Sequence, residues 1–152
     1  MTTVYCCADP MKKKILVLCT ANSCRSQMAH GYLTYFGGQN VDVYSAGVET
    51  DGVNPRAIEV MKEDGVNIGH HTTHHVDEYA RMEFDFVLTV CDSARETCPY
   101  FPAKVKSLHY NFPDPAKAKG NDDQVMEQFR MTRDMIRKYV RDFIRNYINV
   151  SS

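Results

Sequence analysis

The chain has no long apolar run and almost no net charge, and both absences narrow its possible functions. Its 152 residues carry a formal net charge of -1 at pH 7, without a long block of one sign. It therefore lacks the concentrated positive charge that binds nucleic acid, and it has no acidic tail. No segment reaches the roughly 20 apolar residues that span a bilayer, and the first ten residues lack the pattern of a secretory signal. We expect a cytoplasmic protein whose partners include neither nucleic acid nor membrane.

The common phosphate-binding motifs are also missing, whereas cysteine is plentiful. Neither G-x-x-x-x-G-K-[ST] nor G-x-G-x-x-G occurs. Six cysteines lie in a chain whose 43% hydrophobic content is enough for one core. A disulfide framework is typical of small secreted domains that lack such a core. We therefore expect reduced thiols in one domain over residues 11–152. A flexible extension over residues 1–10 precedes it, and its Cys6 and Cys7 have no catalytic role.

Strand and helix patterns alternate along the chain. Four apolar or alternating runs predict strands, at residues 15–18, 41–44, 84–90 and 105–110. Apolar residues at helical spacing predict three helices, at residues 26–36, 55–65 and 125–147. This order predicts an α/β fold, a single-domain three-layer sandwich in which helices flank a central four-stranded parallel sheet.

Parallel sheets place their sites at the carboxyl ends of their strands. Cys19 and Cys91 both follow directly after the two most apolar strands. The fold should therefore bring these two thiols to the same edge of the sheet.

The segment from Cys19 to Ser26 joins the first strand to the first helix. A loop that turns so tightly before a helix directs several backbone N–H groups toward one point, which suits a tetrahedral oxyanion. Arg25 adds a planar guanidinium that can hold two oxygens of the anion. The same positive field increases the thiolate fraction of Cys19 and makes it an activated nucleophile.

The predicted oxyanion-binding loop comprises Thr20, Ala21, Asn22, Ser23, Cys24, Arg25 and Ser26. We expect Asn22 to adopt a left-handed turn and Ser26 to donate its hydroxyl to the Cys19 thiolate. Cys24 should serve packing or loop shape.

Three segments carry a resemblance to a known family: CTANSCRSQMA, VCDSARETCPYFP and FPDPAKAKG. They resemble the thioredoxin-coupled arsenate reductases, which share their fold with the low-molecular-weight protein tyrosine phosphatases. The resemblance covers nearly everything from Lys12 onward. It implies that Cys19 attacks arsenate, that Cys91 then attacks Cys19 as arsenite leaves, and that Cys98 attacks Cys91. The resulting Cys91–Cys98 disulfide would be reduced by external thioredoxin, so no bound cofactor or metal is expected.

Asp114 and the segment between Cys91 and Cys98 allow more than one interpretation. The resemblance implies that Asp114 is a general acid, whereas Asp-Pro is by itself an ordinary turn. Ser93 to Glu96 fits a capping box, which predicts a short helix after Cys91. A helix would separate Cys91 from Cys98 by a rise of roughly 10 Å, and a disulfide needs Cα atoms within about 7 Å. The pair can therefore join only where this segment is not helical.

The chain departs from the family pattern at several positions. Ala21 replaces a glycine that family members usually have, which would cause strain if this position needs a positive φ. His30 and His74 stand where some relatives hold potassium with carboxylates, so we expect no dependence on potassium. Four histidines within residues 70–75 could suggest a metal site, but we expect a solvated, pH-sensitive patch.

Two other functions remain open at this point. A phosphatase acting on phosphotyrosine or a small phosphomonoester would use Cys19, Arg25 and Asp114 without the other thiols. An arsenite or metal sensor would use the thiols as ligands without turnover. Glutaredoxin or another thiol system could replace thioredoxin, and we expect a monomer.

Overall fold

A computed structural model describes residues 12–92, 96 and 98–149 of the chain. The predicted extension at residues 1–10 lies outside the described residues, so its flexibility stays a prediction. Four strands form one parallel sheet: β1 (Lys13–Cys19), β2 (Val41–Gly47), β3 (Phe86–Thr89) and β4 (Lys106–His109). Their order across the sheet is β2-β1-β3-β4. The predicted α/β fold with a four-stranded parallel sheet is confirmed.

Three α-helices connect or follow these strands, and local sequence signals explain where they begin. They are α1 (Arg25–Gly37), α2 (Pro55–Glu63) and α3 (Asp122–Phe143). Asn54 caps α2 by accepting a hydrogen bond from the Arg56 amide, with proline at the first helical position. Asn121 and Gln124 form a capping box at the start of α3.

The end of the predicted third helix differs from the structure. The pattern predicts one helix over residues 125–147, but α3 ends at Phe143 and a π-helical segment, Ile144–Ile148, follows. The Asn149 amide donates to the Ile144 carbonyl at 2.8 Å, which is the i to i+5 hydrogen bond of a π-helix.

The core lies on both faces of the sheet, with β1 at its centre. All residues of β1 from Ile15 to Leu18 have no exposed surface, which explains the continuous apolar run. Ile15 and Val17 pack on the side of the three α-helices. Leu16 and Leu18 pack on the opposite side, against residues such as Phe84 and Phe101 and beside the 3-10 helix Val76–Tyr79.

A hydrogen-bonded histidine network ties α1 to β2 and to the segment that precedes the 3-10 helix. His30 shares a hydrogen bond with Ser45 of β2 at 2.8 Å, and His71 shares one with Gln27 of α1 at 2.9 Å. The two imidazole rings lie 4.5 Å apart. Burial, with a contribution from neighbouring histidines, lowers the pKa of His30 to about 3 and that of His71 to about 4.

The expected solvated patch is therefore only partly correct. His70 is exposed, whereas His71 is partly buried and hydrogen-bonded, because Gln27 offers it an acceptor on α1. Among residues 12–92, 96 and 98–149, no group of three or more His, Cys, Asp or Glu side chains is arranged to hold a metal ion.

We expect the free energy of unfolding to fall as the pH drops below about 6.5, the ordinary pKa of histidine. Between pH 6.5 and 4 the unfolded chain binds protons on His30 and His71, whereas the folded chain does not, so acid favours unfolding. Each histidine should contribute about 1–2 kcal/mol to the loss between pH 7 and pH 5. Urea denaturation at the two pH values measures this loss.

His71→Gln should remove about half of this pH dependence, since one of two such groups is lost. His109→Gln, which makes the same substitution at an exposed position on β4, is the matched control. Identical pH dependence in wild type and His71→Gln would contradict the assignment.

Candidate active site

The loop between β1 and α1 borders a cavity of about 270 Å³ at the carboxyl edge of the sheet. The cavity is lined by Cys19 at the end of β1, Cys24 in the loop, Arg25 at the start of α1 and Asp114 in the segment after β4. Cys19 is only 2% exposed. The structure thus brings three residues predicted as catalytic, Cys19, Arg25 and Asp114, to one small site.

The loop is supported from behind by the segment that follows β2. The Thr20 carbonyl accepts hydrogen bonds from the amides of Val48 and Glu49, both at 2.9 Å, and the Ser23 carbonyl accepts one from Asn54 at 3.1 Å. A Cβ atom at Gly47 would lie 2.6 Å from the Thr20 carbonyl oxygen, which is closer than atoms can approach. The loop can therefore pack against β2 only because residue 47 is glycine.

Asn22 organises the loop from the inside. It has a φ of 52°, the left-handed conformation predicted from the sequence. Its side-chain amide donates to Ser26 at 2.8 Å and accepts from the His74 amide at 2.8 Å. Asn22 is the only non-glycine residue with a positive φ in the described part of the chain, so the strain expected if Ala21 needed such a φ does not arise.

Arg25 is buried, with 3% of its surface exposed, and its charge is compensated by several acceptors. Both terminal nitrogens bind the Glu96 carboxylate, with 2.7 Å between Nη2 and Oε1. Nη1 also donates to the Phe112 carbonyl at 3.1 Å, and Nη2 lies 3.6 Å from Asp114 Oδ2. Burial opposes the charged form, but the hydrogen bond to Glu96 and the nearby negative charges outweigh it and raise the pKa of Arg25. The buried Nε atom has no hydrogen-bond partner within the described residues.

Glu96 is the residue of this site that sequence reasoning missed. Its carboxylate binds Arg25, accepts from the Thr20 hydroxyl at 2.6 Å and accepts from the Asp92 amide at 3.0 Å. Burial would raise the pKa of Glu96, but these hydrogen bonds outweigh burial and lower it to about 2. The sequence pattern predicts a capping box between Ser93 and Glu96, and this stays a prediction because residues 93–95 and 97 lie outside the described residues. The one sequence signal for a role of Glu96 in the site was its position, as an acidic residue between Cys91 and Cys98.

The cysteines of the site are in two oxidation states. Cys91 and Cys98 form a disulfide with a Cα–Cα distance of 6.1 Å, shorter than a helix between them would allow. Cys91 is fully buried and Cys98 is partly exposed. Cys19 and Cys24 are free thiols. Burial, followed by the charge of Asp114, raises the pKa of Cys24 to about 12, which agrees with a packing role for this thiol.

Asp114 forms the turn that Asp-Pro predicts and also directs its side chain toward the site. Its Oδ1 atom accepts from the Ala116 amide at 3.0 Å and caps the 3-10 turn Pro115–Lys117. Its Oδ2 atom faces Arg25. The turn therefore aims a carboxylate at the cavity that Cys19 lines.

The described helices include none with the length and apolar content that crossing a membrane requires.

Residues 14–150 match the family model described as low molecular weight phosphotyrosine protein phosphatase. An arsenate reductase of Halalkalibacterium halodurans is 45% identical over 132 residues, which cover 87% of this chain and 95% of the relative.

Two solved structures have the same fold. One is an arsenate reductase in the phosphate binding state, with a TM-score of 0.73 and 29% identity. The other is an arsenate reductase in an oxidized state, with a TM-score of 0.74 and 27% identity. Each match covers 87% of this chain and 96% of the other. The chain belongs to the low molecular weight phosphotyrosine protein phosphatase family, and its similarity to the arsenate reductases of that family extends over most of its length.

Proposed function

We propose that the protein reduces arsenate to arsenite, with Cys19 as nucleophile and Cys91 and Cys98 as the source of electrons. The observation that carries this proposal is a disulfide between Cys91 and Cys98 beside an oxyanion loop whose own Cys19 is a free thiol. A phosphatase needs no such dithiol. The names of the relative from Halalkalibacterium halodurans and of the two solved structures support the same reaction.

In the first step the Cys19 thiolate attacks the arsenic of bound arsenate and a sulfur–arsenic bond forms. One arsenate oxygen leaves as water, and Asp114 acts as general acid by passing it a proton taken up from solvent. Arg25 and the loop amides stabilise the negative charge on the remaining oxygens. The buried Nε of Arg25, which lacks a partner in the described region, is suited to such an oxygen.

In the second step Cys91 attacks the Cys19 sulfur. The sulfur–arsenic bond breaks, its electron pair stays on arsenic, and As(V) becomes As(III) in arsenite. Cys98 then attacks Cys91, which frees Cys19 and leaves the Cys91–Cys98 disulfide. The two thiols lose two electrons in total. The pairing of β1 with β3, in which the Val90 amide donates to the Leu18 carbonyl at 2.9 Å, supports this transfer because Cys19 ends β1 and Cys91 lies two residues beyond β3.

Thioredoxin is the proposed reductant, and the unequal exposure of the two sulfurs supports attack by a protein thiol from one side. Cys98 is partly exposed, whereas Cys91 is fully buried. An external thiolate would therefore reach the Cys98 sulfur first and release Cys91 as the leaving thiol. Glutaredoxin or another dithiol system could act in the same way.

Hydrolysis of phosphomonoesters is a second candidate function, favoured by one observation. Cys19, Arg25 and Asp114 line one cavity and would suffice for a cysteinyl-phosphate mechanism. Phosphorus does not accept electrons from a thiol, so this reaction would leave Cys91 and Cys98 unused.

Replacing Cys91 or Cys98 with serine should lower thioredoxin-coupled arsenate turnover to below about 1% of wild type, because each removes an essential electron donor. Slow hydrolysis of a phosphomonoester should persist in both variants. Cys7→Ser, in the predicted extension, is the matched control and should behave as wild type. Arsenite is measured with protein far below the substrate concentration, so that a stoichiometric binder would give no signal above its own amount. Unchanged turnover in either variant would refute the relay.

Arg25→Lys should lower kcat/KM for arsenate by about 100- to 1,000-fold, the usual effect of losing a donor to developing negative charge. Lysine keeps the charge but cannot hold two oxygens with a planar fork. Arg56→Lys, at an exposed arginine that pairs with Asp122, serves as the control for a conservative arginine change. An Arg25→Lys enzyme with near wild-type kcat/KM would exclude Arg25 from oxyanion binding.

A further inference from the structure

A carboxylate of the protein itself occupies the arginine of the oxyanion loop. Glu96 binds Nη1 and Nη2 of Arg25, and its side chain is only 9% exposed. The Thr20 hydroxyl and the Asp92 amide also donate to it. With hydrogen bonds from three residues, this carboxylate is held firmly in place.

The contact changes the electrostatics of the oxyanion site. Glu96 and Asp114 together bring two negative charges to the single positive charge of Arg25. Glu96 also takes the edge of the guanidinium formed by its two terminal nitrogens, so a bound anion would keep only the edge that includes Nε. An incoming oxyanion would therefore meet two carboxylates and fewer donors than Arg25 can offer.

The position of Glu96 is linked to the disulfide by the chain itself. Cys91 is buried at the end of β3 and anchors one end of the segment, and the disulfide brings Cys98 back to a Cα distance of 6.1 Å. Glu96 lies between them, two residues before Cys98. Reduction of the disulfide removes the covalent restraint on Cys98, and with it the constraint that keeps Glu96 beside Arg25.

We propose that Glu96 is a redox-dependent competitor for the oxyanion site. While the Cys91–Cys98 disulfide is closed, the Glu96 carboxylate binds Arg25 and weakens the binding of tetrahedral oxyanions. An external dithiol opens the disulfide by giving it two electrons and two protons and becomes a disulfide itself, and Glu96 then leaves Arg25. This proposal rests on the proposed function of the loop as an oxyanion site and adds its regulation. It ensures that a spent enzyme does not bind new substrate before its thiols are restored.

The test is calorimetric titration of the full chain with inorganic phosphate in both redox states. The reduced form is prepared with a phosphine reductant. The disulfide form is prepared with one equivalent of diamide, which accepts the two electrons and two protons of the dithiol. Peptide mass spectrometry verifies the Cys91–Cys98 pairing. We expect phosphate to bind at least ten-fold more weakly to the disulfide form.

Glu96→Gln keeps the size of the side chain and removes its charge, so it should bring the two redox states to within about two-fold of each other. Glu63→Gln, whose carboxylate pairs with Arg130 and Arg133 on α3, is the matched control and should retain the full difference. Equal phosphate affinity of the two redox states in wild type would overturn the proposal. An undiminished difference between the redox states of Glu96→Gln would also overturn it. So would a Glu96→Gln variant that binds phosphate equally more weakly in both redox states, because Glu96 would then only support Arg25. Failure of the reduced wild type to bind phosphate would instead refute the oxyanion site itself, and the competition with it.

Discussion

A buried guanidinium is the constraint on which the rest of this site depends. Removing a charge from water costs several kcal/mol unless partners compensate it. Arg25 meets this requirement with three acceptors from two parts of the chain: the Glu96 carboxylate, and the Phe112 carbonyl and Asp114 carboxylate. These parts follow β3 and β4 at the same edge of the sheet. The need to neutralise one cation therefore brings the disulfide segment and the Asp-Pro turn against the loop that carries Cys19.

The two halves of the site differ in how they are held. The loop is tied by backbone hydrogen bonds to residues 48–54 and fits closely against Gly47, so its geometry is set before any anion arrives. Such preorganisation is what stabilisation of developing charge requires. Glu96, which lies between Cys91 and Cys98, is held instead by side-chain hydrogen bonds and by its nearness to the disulfide. In the proposed reaction the rigid loop binds the oxyanion and the cysteine pair transfers the electrons.

Much of this arrangement could be predicted from local sequence. The apolar runs identify the strands, and the spacing from Cys19 to Arg25 at a strand-to-helix junction identifies the loop, because these signals lie within a few residues of each other. The contact between Glu96 and Arg25 could not be predicted, because the two residues are 71 positions apart and only the local capping-box pattern is visible around Glu96. His71 was predicted to lie in a solvated patch for the same reason, since its acceptor Gln27 lies on α1, 44 residues earlier in the chain. Contacts between separate elements decide both cases.

The anion site alone cannot distinguish arsenate from phosphate, since the two have the same shape and charge. What separates their chemistry is that arsenic, unlike phosphorus, accepts the electron pair of its bond to sulfur when a second thiol attacks that sulfur. The parallel pairing of β1 and β3 puts that thiol at the neighbouring strand end, and the Glu96 contact joins the state of the thiols to the charge of Arg25. The short stretch from Cys91 to Cys98 thereby supplies both the electrons of the proposed reaction and a carboxylate that opposes the binding of the next anion. The order of events, reduction before rebinding, then follows from electrostatics without a separate regulatory domain.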